Sequence, residues 1–182
     1  DLIVLDAPAA GHAITFLRSA TGLADAVKVG PINAQAEEVL GLLEDPQRCR
    51  VMLVTVPEET PVNELIQTAY SLEDEVGVAL GPVVVNGVVA DLVGLDTDPD
   101  EAARDAGVRL LPREADLLRA SAEFRRARMD LQRTQLDRMA TELPLPQLQL
   151  PYLVTSQLDR DHLGLLADAL LARIAELPPV AT

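Results

Sequence analysis

The chain has 182 residues, 48% of them hydrophobic, which is enough to bury one core, but only 2% are aromatic and none is Trp. A formal net charge of -14 argues against a surface built for nucleic acid or an anionic membrane, because phosphate contacts need clustered Lys and Arg. Cys49 is the sole cysteine, so an intrachain disulfide is excluded and a cytoplasmic location is expected. No apolar run reaches the roughly 20 residues of a membrane span, so stable membrane insertion is not expected.

Short apolar runs alternate with helical patterns along the chain. Each run is followed by turn or cap residues, which is typical of buried strands in a parallel sheet. The predicted strands are residues 2–5, 51–56, 82–85 and 148–154, and the predicted helices are residues 13–23, 33–44, 62–76, 112–143 and 159–177. The alternation predicts an α/β fold with a mostly parallel sheet flanked by helices. The acid-rich residues 91–105 are predicted to form a solvated loop.

The residues that follow the predicted strands are candidates for ligand contacts, because ligands bind at the carboxyl ends of parallel strands. Asp6 ends the first predicted strand, where it could hold a magnesium-bound water or simply cap the next helix. Gly11 gives the following segment freedom to move, and His12 lies where a helix begins. The candidates beside later strands are Asn86, Pro151 and Tyr152.

Several motifs then resemble those of one family in the same order. The segment DAPAAGHAITFL, which starts at Asp6, is similar to the switch segment D-T-A-P-T-G-H-T of the anion-transporting ATPases. This family includes the arsenite-pump and tail-anchored-protein-targeting ATPases. The Asp, Gly and His keep their spacing, although the proline comes one position early. The other matching segments, which extend over most of the chain, are Asp45-Pro46, VMLVTVPEE with Glu64, VVVNGV, the helix carrying Arg128, Gln132 and Leu136, and LPYLVTSQLDRDHLGLLADAL.

The resemblance implies a fold, two cofactors and a set of site residues. The fold would be a P-loop NTPase-type three-layer fold, with residues 1–182 as the C-terminal portion of one domain. Residues 13–45 would be a short helical insertion, and residues 91–143 an acidic loop and long helix. The cofactors would be ATP and Mg²⁺, with Asp6 holding Mg²⁺ through water in a switch that includes Gly11 and His12. The adenine would be contacted by Asn86, Pro151 and Tyr152.

The chain also departs from the family. The paired cysteines that bind a dimer-clasping zinc in eukaryotic members would fall at Ala122 and Arg125, so no zinc site is expected. Residues 13–45 contain no Met, which argues against a methionine-rich groove for a hydrophobic client. Lys28, the only lysine, has no glycine-rich loop around it and cannot serve as a phosphate-loop lysine. The phosphate loop is therefore expected in a preceding N-terminal half, and the segment shown would be inactive alone.

The first hypothesis is an ATPase that couples its nucleotide state to movement of the switch helix. It would act as a homodimer or as a heterodimer with a paralogue, with a protein cargo among its partners. The alternative is a non-catalytic paralogous partner subunit that serves as the scaffold of a heterodimer. A third hypothesis is that the protein is a relative of the partition and cell-division ATPases. Arsenite handling has little support, since a thiol site needs several cysteines.

Six arginines lie close together between residues 119 and 138. They lie on a predicted helix that is also rich in Asp and Glu. A solvated face with intrahelical ion pairs is favoured over a polyanion site. The arginines are Arg119, Arg125, Arg126, Arg128, Arg133 and Arg138.

Overall fold

Three short parallel strands form a sheet in the part of the chain that the structure describes. The computed structural model describes residues 2–178. The strands are β1 (Val54–Thr55), β2 (Val83–Val88) and β3 (Gln147–Pro151), in the order β1-β2-β3. Val84 of the central strand β2 pairs with Val54 of β1 on one side and with Leu148 of β3 on the other. The carboxyl ends of all three strands therefore lie at the same edge of the sheet.

Within residues 2–178, seven α-helices accompany the sheet. They are α1 (Ala10–Leu17), α2 (Ser19–Ala26), α3 (Pro31–Glu44), α4 (Glu59–Ser71), α5 (Pro99–Asp105), α6 (Glu114–Glu142) and α7 (Arg160–Ala175), and a π-helical turn (Leu72–Val76) extends α4. Two helices start at an aspartate whose carboxylate accepts backbone N–H groups: Asp98 at α5 and Asp159 at α7. The parallel sheet with flanking helices confirms the predicted α/β class.

The core lies between β2 and two helices on one face of the sheet. Val83 and Val85 alternate onto the same face of β2, where they meet apolar residues of α4 and the end of α6. The cluster is completed by residues of α4 and α6 and by Leu143, which immediately follows α6: Val62, Leu65, Ile66, Ala69, Met139 and Leu143. This packing fixes α4 and α6 relative to β2, so any side chain on either helix near the strand ends is held in place.

Two predictions about the elements were wrong. Residues 2–5 do not form a strand: their side chains are 70% to 90% exposed, and their backbone pairs with no strand in the part of the chain described. A strand needs a neighbouring backbone to complete its hydrogen bonds. Residues 91–105 are not wholly a loop, because α5 occupies their end. Asp98 caps this helix and Pro99 supplies a preset φ at its first position.

The predicted helix over residues 13–23 is two helices, α1 and α2. The break falls at Arg18, next to Ser19, whose hydroxyl donates to the carbonyl of Phe16 at 2.6 Å. A Ser side chain that bonds to nearby backbone competes with the regular helix pattern. Together with α3, the two short helices occupy most of residues 13–45, the span predicted as a short helical insertion.

Candidate functional site

The ends of β2 and β3 bring three of the predicted site residues together. Asn86 is exposed in the second half of β2. Val88 pairs with Pro151 of β3, and the Tyr152 N–H donates to the Val88 carbonyl at 2.8 Å. A Cβ built on Gly87 would lie 3.9 Å from Cδ2 of Tyr152. Asn86, Pro151 and Tyr152 thus line one small region at the carboxyl edge of the sheet.

A β-bulge at Asn86 and Gly87 shapes this region. Val85 pairs with Gln149, and the next pair joins Val88 to Pro151, so β2 has one more residue than β3 between the two pairs. Gly87 has a φ of 72°, a conformation that glycine adopts without steric cost. Bulges of this kind redirect a side chain where regular pairing ends. The Asn-Gly dipeptide after an apolar run was the sequence signal for this turn, but the need for Gly87 was missed.

Gln132 of α6 holds the chain immediately after β2. Its side-chain oxygen accepts from the Val89 N–H at 2.9 Å, and its side-chain nitrogen donates to the Val89 carbonyl at 2.6 Å. Gln132 is 6% exposed and Val89 is 4% exposed. A buried amide that satisfies both backbone groups of one residue fixes that residue firmly. The position of Asn86, three residues earlier, is therefore tied to α6.

Arg128, one turn earlier on α6, reaches the end of β1. Its Nη2 atom donates to Oε1 of Glu58 at 3.0 Å, and both side chains are partly exposed. Glu58 immediately precedes α4 and lies three residues beyond β1. One face of α6 thus contacts segments that follow two neighbouring strands. Both residues fall within the sequence motifs, but no local pattern predicts that they meet.

Other arginines of α6 contact the segment that leads from β2 to α5. Arg125 donates to the Ala90 carbonyl at 2.7 Å, while its buried Nε has no partner within the described chain. Arg126 reaches the Leu95 carbonyl at 2.9 Å. The acidic partners of the remaining contacts are Asp91, Asp96, Asp98 and Asp100. The interpretation of a face with only intrahelical pairs was therefore incomplete, because several arginines hold this segment along α6.

The predicted switch residues lie in a separate segment. Asp6 is exposed and precedes α1 without following a strand, while Gly11 and His12 are exposed in the first turn of α1. Helix α1 packs against α4 and the π-helical turn. Across residues 2–178, no hydrogen bond or ion pair joins these three residues to Asn86, Pro151 or Tyr152. Their meeting in one crevice stays a prediction.

The residues described do not form an independent magnesium site. Within residues 2–178, no group of three His, Cys, Asp or Glu side chains is placed to hold a metal ion. Mg²⁺ is usually held by one or two carboxylates together with substrate phosphates. Asp6 alone supplies one carboxylate and no further ligand, so no reaction step through Mg²⁺ follows from these residues.

The shifted pKa values lie away from the candidate site. Hydrogen bonds from Arg119 and from the backbone N–H of Glu101 lower the pKa of Asp98 below its usual value. Hydrogen bonds to the carboxylates of Asp98 and Asp100 raise the pKa of Arg119 above its usual value. Backbone and side-chain hydrogen bonds from His162 lower the pKa of Asp159. These shifts belong to helix caps, so they stabilise α5 and α7 and carry no chemistry at the strand ends.

The fold and the strand-end residues define an α/β protein with candidate ligand contacts at the carboxyl edge of its sheet. The chain is similar to known ATPases. It is 37% identical over 86 residues to ATPase BagA of Mycobacterium tuberculosis, a match that covers 47% of this chain and 25% of that protein. It is 28% identical over 102 residues to a Halobacterium salinarum protein named "Putative arsenical pump-driving ATPase", covering 52% of this chain and 16% of that protein.

These similarities support a relationship between the chain and a family of ATPases, at modest identity and over part of each protein. The matched stretch spans about a quarter of the length of the mycobacterial relatives. No family model matches the chain. None of the helices described over residues 2–178 has both the length and the apolar character needed to cross a membrane.

Proposed function

We propose that this chain forms the adenine-binding side of an ATP-hydrolysing protein related to the arsenite-pump and tail-anchored-protein-targeting ATPases. The observation that carries the proposal is the convergence of Asn86, Pro151 and Tyr152 at the ends of two paired strands. Similarity to proteins named ATPase adds independent support. In this proposal, residues 1–182 are the C-terminal portion of one ATPase domain.

Asn86 reads the adenine edge. Its amide offers one acceptor and two donors, which match the alternating donor and acceptor groups of adenine. The side chain is exposed at the bulge, and the amide makes no hydrogen bond within residues 2–178. Pro151 and Tyr152 provide an apolar border for the base, and Tyr152 is 53% exposed and free to pack against it. Gln132 keeps this arrangement rigid through Val89.

Hydrolysis requires groups beyond these residues. In the proposed protein a phosphate loop holds the phosphates, and the segment of Asp6, Gly11 and His12 responds to the terminal phosphate and moves α1. Mg²⁺ supplies charge stabilisation when it is bound with the nucleotide. A homodimer or a heterodimer with a paralogue is the proposed assembly, in the cytoplasm and with a protein cargo. A non-catalytic partner subunit would bind nucleotide in the same way but show no turnover.

Adenine selectivity tests the proposal. We expect the proposed protein, with its phosphate loop, to bind ATP more tightly than GTP, and its Asn86→Ala variant to lose about tenfold in ATP affinity, since one to two hydrogen bonds are removed. Binding is measured by competition with a fluorescent adenine nucleotide. The matched control is Asn33→Ala, on α3, which should bind as the parent does. Equal binding of ATP and GTP by the parent protein would contradict the adenine site.

A further inference from the structure

An exposed apolar stripe runs along one side of α6. Leu117, Phe124 and Leu131 are seven residues apart and are 66%, 72% and 42% exposed. Ala120, Ala127 and Thr134 lie three residues after each of them and are also exposed. The combined spacing of three and four residues is that of the a and d positions of a heptad repeat. The α6 stripe consists of Leu117, Ala120, Phe124, Ala127, Leu131 and Thr134.

The stripe is not the face of α6 that packs on the rest of the protein. In this heptad numbering, Leu117, Phe124 and Leu131 are at a positions and Ala120, Ala127 and Thr134 are at d positions. Arg125 and Gln132, which hold the chain after β2, are both at b positions. Met139, in the core, lies beyond the last residue of the stripe. Arg138 would be the next a position and is instead paired with Glu142 at 2.8 Å. The stripe therefore ends where α6 enters the core, and its own residues remain exposed.

One edge of the stripe is acidic. Asp116, Glu123 and Asp130 occupy successive g positions, next to the apolar a positions. The arginines at c positions neutralise this side only in part, because Arg119 and Arg133 divide their ion pairs between it and the acids of the 91–100 segment, and Arg126 pairs with Asp96. Arg119, for example, is shared among Asp98, Asp100 and Asp116. A partner that packs on the stripe must bring positive charge to its flank.

We propose that the α6 stripe is a docking surface for an amphipathic helix of another protein, with apolar residues at its own a and d positions and Lys or Arg beside them. A second copy of this chain does not meet the requirement. In an antiparallel pair the acidic g positions of the two copies would face each other. In a parallel pair they would face Ser121, Arg128 and Gln135, and only Arg128 is basic. Arg128 is already engaged with Glu58 at 3.0 Å, so self-pairing gains little attraction.

The small residues at the d positions of the stripe allow a partner helix to approach closely, and Phe124 at its centre offers the largest apolar contact. The proposal does not rest on nucleotide binding, since it involves none of the residues at the strand ends. Its partner is defined by chemistry alone: a helix of about three heptads with basic flanks.

The experiment uses two synthetic peptides and the whole chain. Both peptides have three heptads with Leu at a and d, one with Lys and the other with Glu at e and g, so that each repels itself. Fluorescence anisotropy of labelled peptide measures binding. We expect the Lys peptide to bind and the Glu peptide not to bind. Raising the ionic strength should weaken the binding of the Lys peptide, because the charges at the flank are exposed.

Variants locate the binding surface. Phe124→Asp and Leu117→Asp should each weaken binding of the Lys peptide about tenfold or more, because a charge is placed in the apolar contact. Leu165→Asp, a 56% exposed leucine on α7, is the matched control and should leave binding unchanged. Circular dichroism confirms that each variant is folded.

Three results would overturn the proposal: no binding of the Lys peptide, equal binding of the Glu peptide, or binding that survives both substitutions in folded variants. Sedimentation of the chain alone distinguishes a second copy of the chain from a heterologous partner. A dimer that Phe124→Asp converts to a monomer would assign the stripe to a second copy and reject the heterologous partner.

Discussion

At the scale of single residues, Gln132 makes the most constrained polar contact near the candidate site. Its amide serves both the N–H and the carbonyl of Val89, and all of these groups are buried. Water cannot replace the amide without opening the space between α6 and the end of β2. Removing the side chain therefore leaves two backbone groups without partners, which costs more than the loss of one exposed hydrogen bond.

We predict that Gln132→Ala lowers the free energy of unfolding by about 2–4 kcal/mol, the cost of leaving two buried polar groups unpaired. Urea denaturation followed by far-UV circular dichroism measures this, since the chain contains no Trp for fluorescence. Gln35→Ala, at an exposed position of α3, is the control and should change stability by less than about 0.5 kcal/mol. Equal effects of the two substitutions would mean that the Val89 contact does not stabilise the fold.

At the scale of elements, α5 depends on the charge of Asp98, the residue that immediately precedes the helix. The Asp98 carboxylate caps the helix and bonds to Arg119 of α6. Because these bonds lower the pKa of Asp98 in the folded state, folding is favoured by the ionised form. This contribution is fully present above the unfolded pKa, near 3.9, and is lost as the pH falls through the lower folded value.

We predict that Arg119→Ala raises the pKa of Asp98 toward its ordinary value, because the largest cause of the shift is the hydrogen bond from Arg119. The carboxyl chemical shift of Asp98, followed by NMR between pH 2 and 6 (roughly two units either side of an ordinary Asp pKa), measures the change. Arg109→Ala, which alters an exposed arginine in the loop between α5 and α6, should leave the Asp98 titration unchanged. An unmoved Asp98 pKa in Arg119→Ala would show that the Arg119 bond is absent in solution.

Apolar periodicity is a local property, and it predicted α3, α4, α6, α7 and three of the four strands to within a few residues. It failed for residues 2–5, because the same apolar run forms a strand only when a neighbouring backbone is present to pair with it. The capping pair Asp98-Pro99 was a readable signal for α5 that the acidic composition obscured.

The contacts around the candidate site depend on residues far apart in the sequence. Gln132 and Val89 are 43 residues apart, and Arg128 and Glu58 are 70 residues apart. No periodicity links such residues, so the motifs identified them individually without indicating their partners. The strand-end rule did place Asn86 and Tyr152 at the same edge of a parallel sheet, because that rule follows from strand direction alone.

At the scale of the whole molecule, one apolar cluster joins the sheet to two of the longer helices. Met139, at 0% exposure, lies within it beside residues of α4 and β2. Because the same α6 carries Gln132 and Arg128, the strand-end region depends on this packing as well. A change in the core should therefore unfold the sheet, α4 and α6 together and should not loosen one of them alone.

We predict that Met139→Ala destabilises the protein by about 2–5 kcal/mol, through lost apolar burial and the cavity that remains. Urea denaturation should show a lower midpoint with an unchanged slope, since the surface exposed on unfolding stays the same. Met52→Ala provides the control, because Met52 is 48% exposed and its truncation leaves no closed cavity. A midpoint that moves equally for both variants would place Met139 outside a packed core, and a second transition would show that α6 and the sheet unfold separately.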